Sequence, residues 1–308
     1  MALTVAVIGS IMMDITVRAP RLPTSGENLF VDNLVSGAGG KGGNAAVALA
    51  RHGVRTIFVG NVGRDVWGRE ACRQLDRAGV QTDLIAQDAE TPTCMVIMLA
   101  EDNGATTYVA YTGANRTLAP EDVQQRLTPL LPQLDGLLFN FEPPAATLKE
   151  AAALAHAAGV PVFVDAGPQR AYATDVWKYA AILSPNESEA QMLAGRALPD
   201  DEMALDVARA LRDQGPQAVV LKRGARGALW ADASGNGLAP AFAVDVVDPA
   251  GAGDAFSAGL VWAMLSGRSL PQAVRWANAC GALAATRLGT LDAMPTGAEV
   301  NAFLARHE

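Results

Sequence analysis

Short β-rich apolar runs alternate with amphipathic stretches along most of the chain. The first run, TVAVI at 4–8, has no charged residue, as in a strand that is buried on both faces. Glycines at 53 and 79 follow the first two helical stretches, where a left-handed residue commonly ends a helix. Strands are predicted at 4–8, 56–60, 134–140, 160–165, 180–184 and 218–222, and helices at 44–52 and 67–78, before Gly159, before Gly215, and at 253–266, 271–286 and 296–305. This alternation predicts an α/β fold with a mainly parallel central sheet.

Two early segments do not fit the alternation. Segment 15–36 contains no good helix, and segment 94–111 consists of two β-rich runs around Asn103-Gly104, which is a strong hairpin signal. Because long insertions in compact domains tend to be functional, we expect a small β-sheet lid over a cleft. The alternative is an antiparallel edge extension of the main sheet. No linker or repeat divides the chain, so residues 1–308 are predicted to form a single α/β domain with this lid inserted.

Composition and charge narrow the classes of function. The chain has 308 residues, of which 50% are hydrophobic and 18% are charged, as in a globular protein. Its formal net charge is −8 and its Lys and Arg residues are scattered, which argues against a nucleic-acid partner. No apolar run reaches the roughly 18 residues of a membrane span, and no leader-like stretch precedes the first strand. We therefore expect a cytoplasmic protein that binds neither nucleic acid nor membrane.

The cysteines and histidines offer little chemistry. The 3 cysteines lie far apart without a C-x-x-C pair, which argues against a disulfide framework or a thiolate zinc site. None of the 3 histidines stands beside a motif, so a Ser-His-Asp triad is not indicated. Any catalytic group must be sought among the carboxylates and lysines.

The sharpest chemical pattern is VDPAGAGDAFSAGLVWAML at 247–265. A strand is predicted before it at 241–247, and a helix follows. Small residues let a ligand approach the backbone, while the unpaired N–H groups and the positive dipole end of a helix attract an anion. A carboxylate at this place, Asp254 after the GAG of 251–253, suits phosphoryl transfer, in which it deprotonates the attacking hydroxyl. The alternative is that Asp254 only caps the helix.

A second glycine-rich segment, SGAGGKGGNAAVALA at 36–50, contains the spacing G-x-G-x-x-G from Gly37. A dinucleotide site requires an acidic residue about 20 positions later, at the end of the next strand, and TIFVGNVG has none. The segment is not a Walker A loop, because Lys41 is followed by glycine. We interpret it as a loop that leads into a helix and presents Lys41 and Asn44 to a ligand. The alternative is a tight turn that allows close contact between helix and sheet.

A third segment, SPNESEAQML at 184–193, places Asn186 and Glu189 three residues apart on one helical face. Oxygen ligands and their bound waters suit Mg²⁺. A helix capping box explains the same pattern equally well.

The fourth segment is VVLKRGARGALW at 219–230. A predicted strand runs into a turn from Gly224 to Gly227, and a second strand follows. A nucleotide could lie over such a turn, and a plain hairpin is the alternative.

In this order, the segments resemble the ribokinase-like carbohydrate kinases of the phosphofructokinase-B type over nearly the whole chain. DPAGAGD followed by AFSAGL resembles the C-terminal signature of that family, and GGKGGNAAVALARHG with VGRDVWG resembles the N-terminal one. The shorter blocks that match are GSIMMD at 9–14, TGAN at 112–115, NFE at 140–142 and N-x-x-E at 186–189. The resemblance implies a three-layer α/β sandwich with a mainly parallel sheet and a small β-sheet lid, through which a homodimer often forms.

The resemblance also implies a role for each matching residue. Asp254 would be the catalytic base, and the anion hole would consist of Gly251, Ala252 and Gly253. The sugar site would comprise Met12, Asp14, Gly40, Lys41, Asn44 and Glu142. The ATP site would comprise Asn186, Lys222, Gly224, Gly227 and, near the adenine, Asn278. Mg²⁺ would be held through water by Asn186 and Glu189, and a monovalent cation such as K⁺ by Asp248 and the loop from Arg287 to Gly289.

Two positions depart from the family pattern. Met12 stands where ribokinases usually carry an asparagine two residues before the sugar-binding aspartate, which puts ribose itself in question. Ala293 stands in the cation loop where a serine is common, so potassium dependence is open.

The sequence therefore predicts an ATP-dependent kinase that phosphorylates a hydroxyl of ribose or another pentose or ketose. Within the same fold, the alternative is a kinase for a nucleoside or a sugar acid, because Phe30, Tyr108 and Tyr111 offer aromatic rings in the lid. A nicotinamide-dependent oxidoreductase is disfavoured by the missing acid, and a non-catalytic sugar sensor by the presence of Asp254.

Overall fold

The fold consists of one large and one small β-sheet with helices packed on the large one. A computed structural model describes residues 2–103, 105–168 and 173–307. The large sheet has the strand order β14-β13-β12-β11-β10-β9-β1-β4-β5, with β6 also paired to β4. Its strands are β1 (Thr4–Ile8), β4 (Arg55–Gly63), β5 (Val80–Gln81), β6 (Ile85–Asp88), β9 (Gly136–Asn140), β10 (Val162–Asp165), β11 (Ala180–Ser184), β12 (Ala218–Lys222), β13 (Ala228–Asp232) and β14 (Gly235–Ala239). All pairs are parallel except β12–β13 and β13–β14.

The helices are α1 (Lys41–Arg51), α2 (Val66–Arg77), α3 (Pro120–Leu127), α4 (Ala145–Ala157), α5 (Glu187–Ala194), α6 (Asp201–Arg212), α7 (Ala252–Leu265), α8 (Leu270–Ala285) and α9 (Gly297–Ala305). Helices α1 to α6 lie between strands along the chain, as the alternating pattern predicts, and α7 to α9 follow the last strand. Local chemistry sets several ends: Asp65 and Asp200 accept hydrogen bonds from the first turns of α2 and α6, and Gly53 and Gly79 take positive φ just after α1 and α2. Among the described helices, none combines the length and apolarity needed to cross a membrane.

The large sheet separates two hydrophobic cores because successive side chains of a strand point to opposite faces. In β1, Val5 and Val7 join the core beneath α1, α7 and α8, whereas Ala6 and Ile8 join the core beneath α3, α4 and α6. Helices therefore cover both faces, which gives the predicted three-layer arrangement.

The small sheet is built from the two segments that broke the alternation. Its order is β3-β2-β7-β8, with β2 (Met12–Ala19), β3 (Asn33–Gly39), β7 (Cys94–Glu101) and β8 (Thr106–Tyr111). It is separate from the large sheet, so the alternative of an edge extension is wrong. Strands β7 and β8 pair antiparallel, as the hairpin signal predicts; of the predicted turn residues, Gly104 lies outside the described part of the chain.

Two sequence-based boundaries differ from the structure. Residues 241–247 were expected to form a strand and do not. This run lies beside the last residue of α8 instead. Val247 N–H donates to Ala285 O, so its backbone pairs with the end of a helix and not with a neighbouring strand. Helix α1 begins at Lys41, three residues before the predicted start, because Gly40 takes φ 92° and ends the preceding strand segment abruptly.

Candidate active site

The site lies where the chain changes direction in the large sheet. Strands β1 and β9 are neighbours, but the chain leads from β1 toward β4 and from β9 toward β10 on the other side. Open α/β sheets bind ligands in the crevice that such a switch point leaves at the carboxyl ends of the strands. Ser10 follows β1, Glu142 follows β9 and Asp165 ends β10, so polar groups from three strands meet at this edge.

Asp254 lies in the first turn of α7, as predicted, and is buried with 5% of its surface exposed. Asn44 Nδ2 donates to Asp254 Oδ2 at 2.7 Å, and Lys41 Nζ lies 3.8 Å from Asp254 Oδ1. Helix α1 reaches this position because a glycine faces a glycine: a Cβ at Gly42 would lie 2.7 Å from Gly9 Cα. The glycine-rich loop thus delivers Lys41 and Asn44 to the carboxylate.

Burial and the nearby ammonium group act in opposite directions on the pKa of Asp254. Burial raises the pKa of Asp254 above its ordinary value, and the Lys41 ammonium opposes that rise. In turn, the carboxylate of Asp254 raises the pKa of Lys41, so Lys41 stays protonated. A carboxylate with a raised pKa beside a fixed ammonium is poised to take a proton from a substrate hydroxyl.

The start of α7 is open toward a ligand. Gly251 takes the left-handed φ of 76° before the helix and supplies no side-chain cap to the first turn. A Cβ at Gly253 would meet no described atom within 4 Å, so the backbone is accessible there. Residues 251–253 thus form the positive end of α7 beside Asp254, as in an anion hole, although Ala252 N–H donates to Pro249 O at 3.2 Å.

Strand β2 of the small sheet supplies a second wall. Met13 is buried in the core, whereas Met12 and Asp14, on the opposite face of the strand, are only partly buried. Asp14 lies over the neighbouring strand, since a Cβ at Gly39 would lie 2.1 Å from Asp14 Oδ2. Burial, followed by the charge of Asp254, raises the pKa of Asp14 to about 6. Met12 and Asp14 thus share the face that turns toward the Asp254 region.

The raised pKa of Asp14 predicts a pH dependence of the free energy of unfolding. The folded chain binds the Asp14 proton more tightly than the unfolded chain does. The contribution of this proton to the free energy of unfolding is therefore fully present below the unfolded pKa of 3.8 and is lost as the pH rises through about 6. We expect Asp14→Asn, which cannot ionise, to raise the Tm over wild type by more at about pH 8 than at about pH 4. Thermal unfolding measures this, with the fully exposed Asp292→Asn as control. An equal Tm difference at both pH values would contradict the prediction.

Glu142 lies on the β9 side of the crevice. Ser10 Oγ donates to Glu142 Oε2, and Asn140 Nδ2 lies 3.2 Å from the same oxygen. Neither Ser10 nor Asn140 was singled out from the sequence, although Ser10 lies within GSIMMD and Asn140 within NFE. Gly40 lies opposite, where a Cβ would lie 2.7 Å from Ser10 O. The predicted sugar-binding residues are thus gathered around one crevice.

Asn44 has a spare acceptor. Its Nδ2 is bound to Asp254, but its Oδ1 is buried and has no hydrogen-bond partner among the described residues. A buried polar atom without a partner costs free energy unless a ligand or water satisfies it. A hydroxyl donor that binds beside Asp254 would satisfy Asn44 Oδ1.

The G-x-G-x-x-G spacing has no dinucleotide role in this structure. Gly37 and Gly39 belong to β3, an antiparallel strand of the small sheet. The dinucleotide motif requires a parallel strand that turns directly into a helix within the main sheet. The spacing instead lets β3 end tightly against Asp14 and α1 start at Lys41.

Asn186 and Glu189 form a capping box on α5. Asn186 Oδ1 accepts from Glu189 N–H at 2.9 Å, and Glu189 Oε2 accepts from Asn186 N–H at 2.8 Å. The capping interpretation is therefore satisfied in the structure. Glu189 is nevertheless 4% exposed and close to the cleft, since a Cβ at Gly167 would lie 2.7 Å from both Glu189 Oε1 and Lys41 Cε. Burial raises the pKa of Glu189, and the ammonium groups of Lys222 and Lys41 oppose that rise.

Sequence reasoning missed a buried carboxylate, Asp165. Its Oδ1 accepts from Lys222 Nζ at 2.9 Å, and its Oδ2 accepts from Ser257 Oγ at 2.6 Å. Burial opposes its ionisation, but Lys222 and Lys41 hold the pKa of Asp165 below its ordinary value. The signal available in the sequence was VFVD, a carboxylate that directly ends a buried apolar strand.

The predicted nucleotide-binding turn connects β12 and β13. Gly224 and Gly227 take φ values of 55° and 84°, and Arg223 N–H donates to Gly227 O across the turn. Asn278 lies on α8, where its amide donates to Ala239 O and Pro240 O. Asn278 thus fixes the chain that leaves β14.

The residues predicted to hold a monovalent cation are only partly brought together. Asp248 Oδ2 accepts from Gly289 N–H at 3.1 Å, so these two residues are adjacent. The guanidinium of Arg287 pairs with Glu299 instead. Ala293 is fully buried next to this loop. Within the described residues, no group of three or more His, Cys, Asp or Glu side chains could hold a metal ion by itself.

Comparison with known proteins agrees with this geometry. Residues 2–297 match a family described as pfkB family carbohydrate kinase. A ribokinase of Bacillus subtilis is 31% identical over 303 residues, which cover 98% of this chain and 99% of that protein. A deoxyribokinase of Salmonella typhi is 28% identical over 307 residues, which cover 99% of both. The structure of Arabidopsis thaliana ribokinase complexed with ribose and ATP superposes with a TM-score of 0.93 at 29% identity, over 99% of both chains. The superposition confirms the predicted architecture, including the separate small sheet.

Proposed function

Because the chain belongs to the pfkB family of carbohydrate kinases and is a phosphotransferase that acts on a sugar hydroxyl, we propose that its cleft transfers the γ-phosphoryl group of ATP to a pentose. The observation that carries this proposal is the placement of Asp254, buried beside an open helix N-terminus and held by Asn44 and Lys41. The base Asp254, the anion hole at 251–253 and Asn44 Oδ1, which can accept a hydrogen bond from a substrate hydroxyl, thus lie side by side. Membership in this family decides against the oxidoreductase alternative.

The transfer uses Asp254 as the base. A sugar hydroxyl attacks the γ-phosphorus, its proton passes to the Asp254 carboxylate, and the bond between the γ-phosphorus and the oxygen that leaves with ADP breaks. The N–H groups at 251–253 stabilise the negative charge on the transferring group. Asn44 and Lys41 hold the carboxylate in place, while Asp14 and Glu142 bind the other sugar hydroxyls.

The nucleotide lies over the turn from Gly224 to Gly227, with Asn278 toward the adenine and Asn186 toward the phosphates. Three carboxyl groups, those of Asp165, Glu189 and Asp254, lie in this part of the cleft near the ammonium groups of Lys41 and Lys222. Mg²⁺ commonly binds through one or two carboxylates, waters and substrate phosphates. Asn186 and Glu189 would hold it through water, where it neutralises phosphate charge.

Met12 determines which edge of the sugar acceptor fits the site. A thioether cannot donate a hydrogen bond and accepts only weakly, so it offers no match to a sugar hydroxyl. Because Met12 shares a face with Asp14, a pentose edge that lacks a hydroxyl fits there better than the full set of ribose hydroxyls. The relatives include both a ribokinase at 31% identity and a deoxyribokinase at 28% identity. We infer that the acceptor is a pentose with an apolar or deoxygenated edge, such as 2-deoxyribose.

Met12→Asn should shift the preference toward ribose. An apolar contact discriminates by only about 1–3 kcal/mol, so the ratio of kcat/KM for ribose to that for 2-deoxyribose should rise by roughly tenfold or more. Met98→Asn, on the neighbouring strand β7, serves as a control for a polar substitution in the small sheet. An unchanged ratio in Met12→Asn would show that Met12 does not contact the acceptor.

The acceptor itself is identified by a screen for ADP release. The purified chain is supplied with Mg-ATP and, in turn, with ribose, 2-deoxyribose, fructose, 2-keto-3-deoxygluconate and common nucleosides. A pentose should give the highest kcat/KM. A nucleoside or sugar acid as the best substrate would contradict the proposed acceptor and favour the corresponding kinase of the same fold.

The small sheet acts as a lid on a single domain and as the contact of a homodimer. Its outer strands β3 and β8 expose apolar side chains, among them Leu34 and Val35 at 63% and 70% and Tyr108 and Val109 at 61% and 62%. Unpaired edge strands with apolar side chains favour association with another chain. Sedimentation of the purified chain as a monomer would contradict this contact.

A monovalent cation that binds at Asp248 and the neighbouring loop would activate the enzyme. The contact of Asp248 with Gly289 brings the predicted loop segments together, and K⁺ is the cation that the family resemblance indicates. Initial rates in K⁺ and in tetramethylammonium buffers of equal ionic strength test this; equal rates would contradict it.

A further inference from the structure

Asp165 is buried at the carboxyl end of β10, and both of its oxygens are engaged. Oδ1 accepts from Lys222 Nζ at 2.9 Å and from Gly167 N–H at 3.1 Å. Oδ2 accepts from Ser257 Oγ at 2.6 Å. The residue itself is 4% exposed and the Lys222 side chain 11% exposed, so this is an ion pair largely removed from water.

The contacts of Asp165 join three separate parts of the site. Lys222 ends β12 and stands two residues before the turn that begins at Gly224. Ser257 lies on α7, one turn after Asp254, and Lys222 Nζ is also 3.3 Å from Ser257 Oγ. Strand β11 lies between β10 and β12, so the lysine side chain crosses an intervening strand to reach Asp165.

The strand that Lys222 crosses carries a buried serine beside Asp165. Ser184 stands beside Asp165 in the register of β10 and β11, and its buried Oγ has no partner among the described residues. Lys222 Nζ contacts Asp165 Oδ1 at 2.9 Å and Ser257 Oγ at 3.3 Å. Its position is set by Asp165 and Ser257.

Such a pair is poorly explained by stability alone. Moving both charges out of water costs about as much as their attraction returns, and an apolar pair of similar volume is often as stable. Removing only one partner leaves a buried charge without compensation. Loss of the Asp165 carboxylate would leave the Lys222 ammonium without the partner that fixes its position. The pair thus fixes where one positive charge stands beside the catalytic helix.

We propose that Asp165 is a positioning residue that holds the Lys222 ammonium against α7, where it faces the phosphate groups of bound ATP. This rests on the proposed function, in which the turn from Gly224 to Gly227 binds the nucleotide. Asp165 touches neither substrate; it acts through Lys222 and, by way of Ser257, keeps β12 aligned with the helix that carries Asp254.

The variant that tests this is Asp165→Asn, which keeps the shape of the side chain and removes its charge. Displacing a binding group by about 1 Å commonly costs on the order of 10²-fold in rate, so kcat/KM for ATP should fall by roughly 10- to 100-fold. The acceptor KM should change by less than about threefold, because Asn44 and Asp14 remain in place. Lys222→Met should give a similar loss for ATP.

The double variant Asp165→Asn/Lys222→Met separates positioning from a general structural role. If Asp165 acts through Lys222, the double variant is no worse for ATP than Lys222→Met alone. It also removes both buried charges, so it is expected to fold even if Asp165→Asn does not. Asp122→Asn, which breaks the Arg126 ion pair away from the cleft, is the matched control and should leave both substrate constants unchanged.

Calorimetric titration with a non-hydrolysable ATP analogue gives a readout that is independent of the acceptor. Weaker analogue binding by Asp165→Asn supports the inference even if wild type phosphorylates no pentose, in which case only the proposed acceptor fails. The inference is overturned if the fall in kcat/KM for ATP in the double variant equals the product of the falls in the two single variants. It is also overturned if Asp165→Asn changes the acceptor KM and not the ATP constants, or lowers the Tm alone.

Discussion

Asp254→Asn is expected to remove nearly all phosphoryl transfer, with kcat falling by about 10²- to 10⁴-fold or more. Asparagine has the same shape but cannot take the proton of the attacking hydroxyl. The nucleotide should still bind, because Asp254 lies on the acceptor side of the anion hole beside Asn44 and Lys41. Steady-state ADP release measures kcat, and titration with a non-hydrolysable ATP analogue measures binding.

The control for Asp254→Asn is Asp292→Asn, which removes a carboxylate that is fully exposed. It should leave kcat and the affinity for the analogue unchanged. If Asp254→Asn kept more than about a tenth of the wild-type kcat, Asp254 would not be the base, since loss of a general base costs far more. Loss of analogue binding together with activity would show instead that the substitution disrupts the start of α7.

Asn44→Ala is expected to raise the acceptor KM and also to lower kcat. The amide does two things at once: Nδ2 holds Asp254, and Oδ1 is left for a substrate hydroxyl. Hydrogen bonds to charged groups contribute about 1.5–3 kcal/mol, so kcat/KM for the acceptor should fall by on the order of 10- to 100-fold or more. The ATP KM should change little.

Asn61→Ala is the matched control for Asn44→Ala. Asn61 is also a buried amide, and its Nδ2 donates to Thr117 Oγ1, away from Asp254. The control should lower the Tm without a selective effect on the acceptor. If Asn44→Ala raised the ATP KM and left the acceptor KM unchanged, the assignment of α1 to the sugar side would be wrong.

The fold was predictable because its signals are local. The 3.6-residue and 2-residue periodicities, with glycines after the helices, locate most elements to within a few residues. The small sheet followed from segment 15–36, which contains no good helix, and from the two β-rich runs of segment 94–111. The strand predicted at 241–247 is absent from the structure. An apolar run of suitable length becomes a strand only if the edge of a neighbouring strand is free to pair with it. Here the Val247 N–H instead donates to a carbonyl at the end of α8.

The end of α7 that carries Asp254 was predictable for a similar reason. Glycines, a carboxylate and the helix that follows are contiguous, so Asp254 could be placed in the first turn from the sequence alone. The Lys41 and Asn44 contacts were indicated only by the glycine-rich loop, since they join Asp254 to residues more than 200 positions earlier.

The Asp165 network was beyond sequence reasoning. The contact with Lys222 spans 57 residues and crosses β11, so it depends on strand order and not on any local pattern. Asn186 and Glu189 show the converse case. Their spacing allowed both a cap and a metal-linked role, and the structure satisfies the cap while placing Glu189 near Lys41.

The most direct test of transfer from ATP to a pentose is a single turnover with ATP labelled in the γ-phosphoryl group. Excess enzyme is mixed with labelled Mg-ATP and either 2-deoxyribose, ribose or no sugar, and the label is followed into sugar phosphate, inorganic phosphate and protein. The proposed function predicts that the label appears on the pentose, only when a pentose is present, and never on the chain. Release of labelled inorganic phosphate at the same rate without sugar, or label bound to the protein, would contradict it.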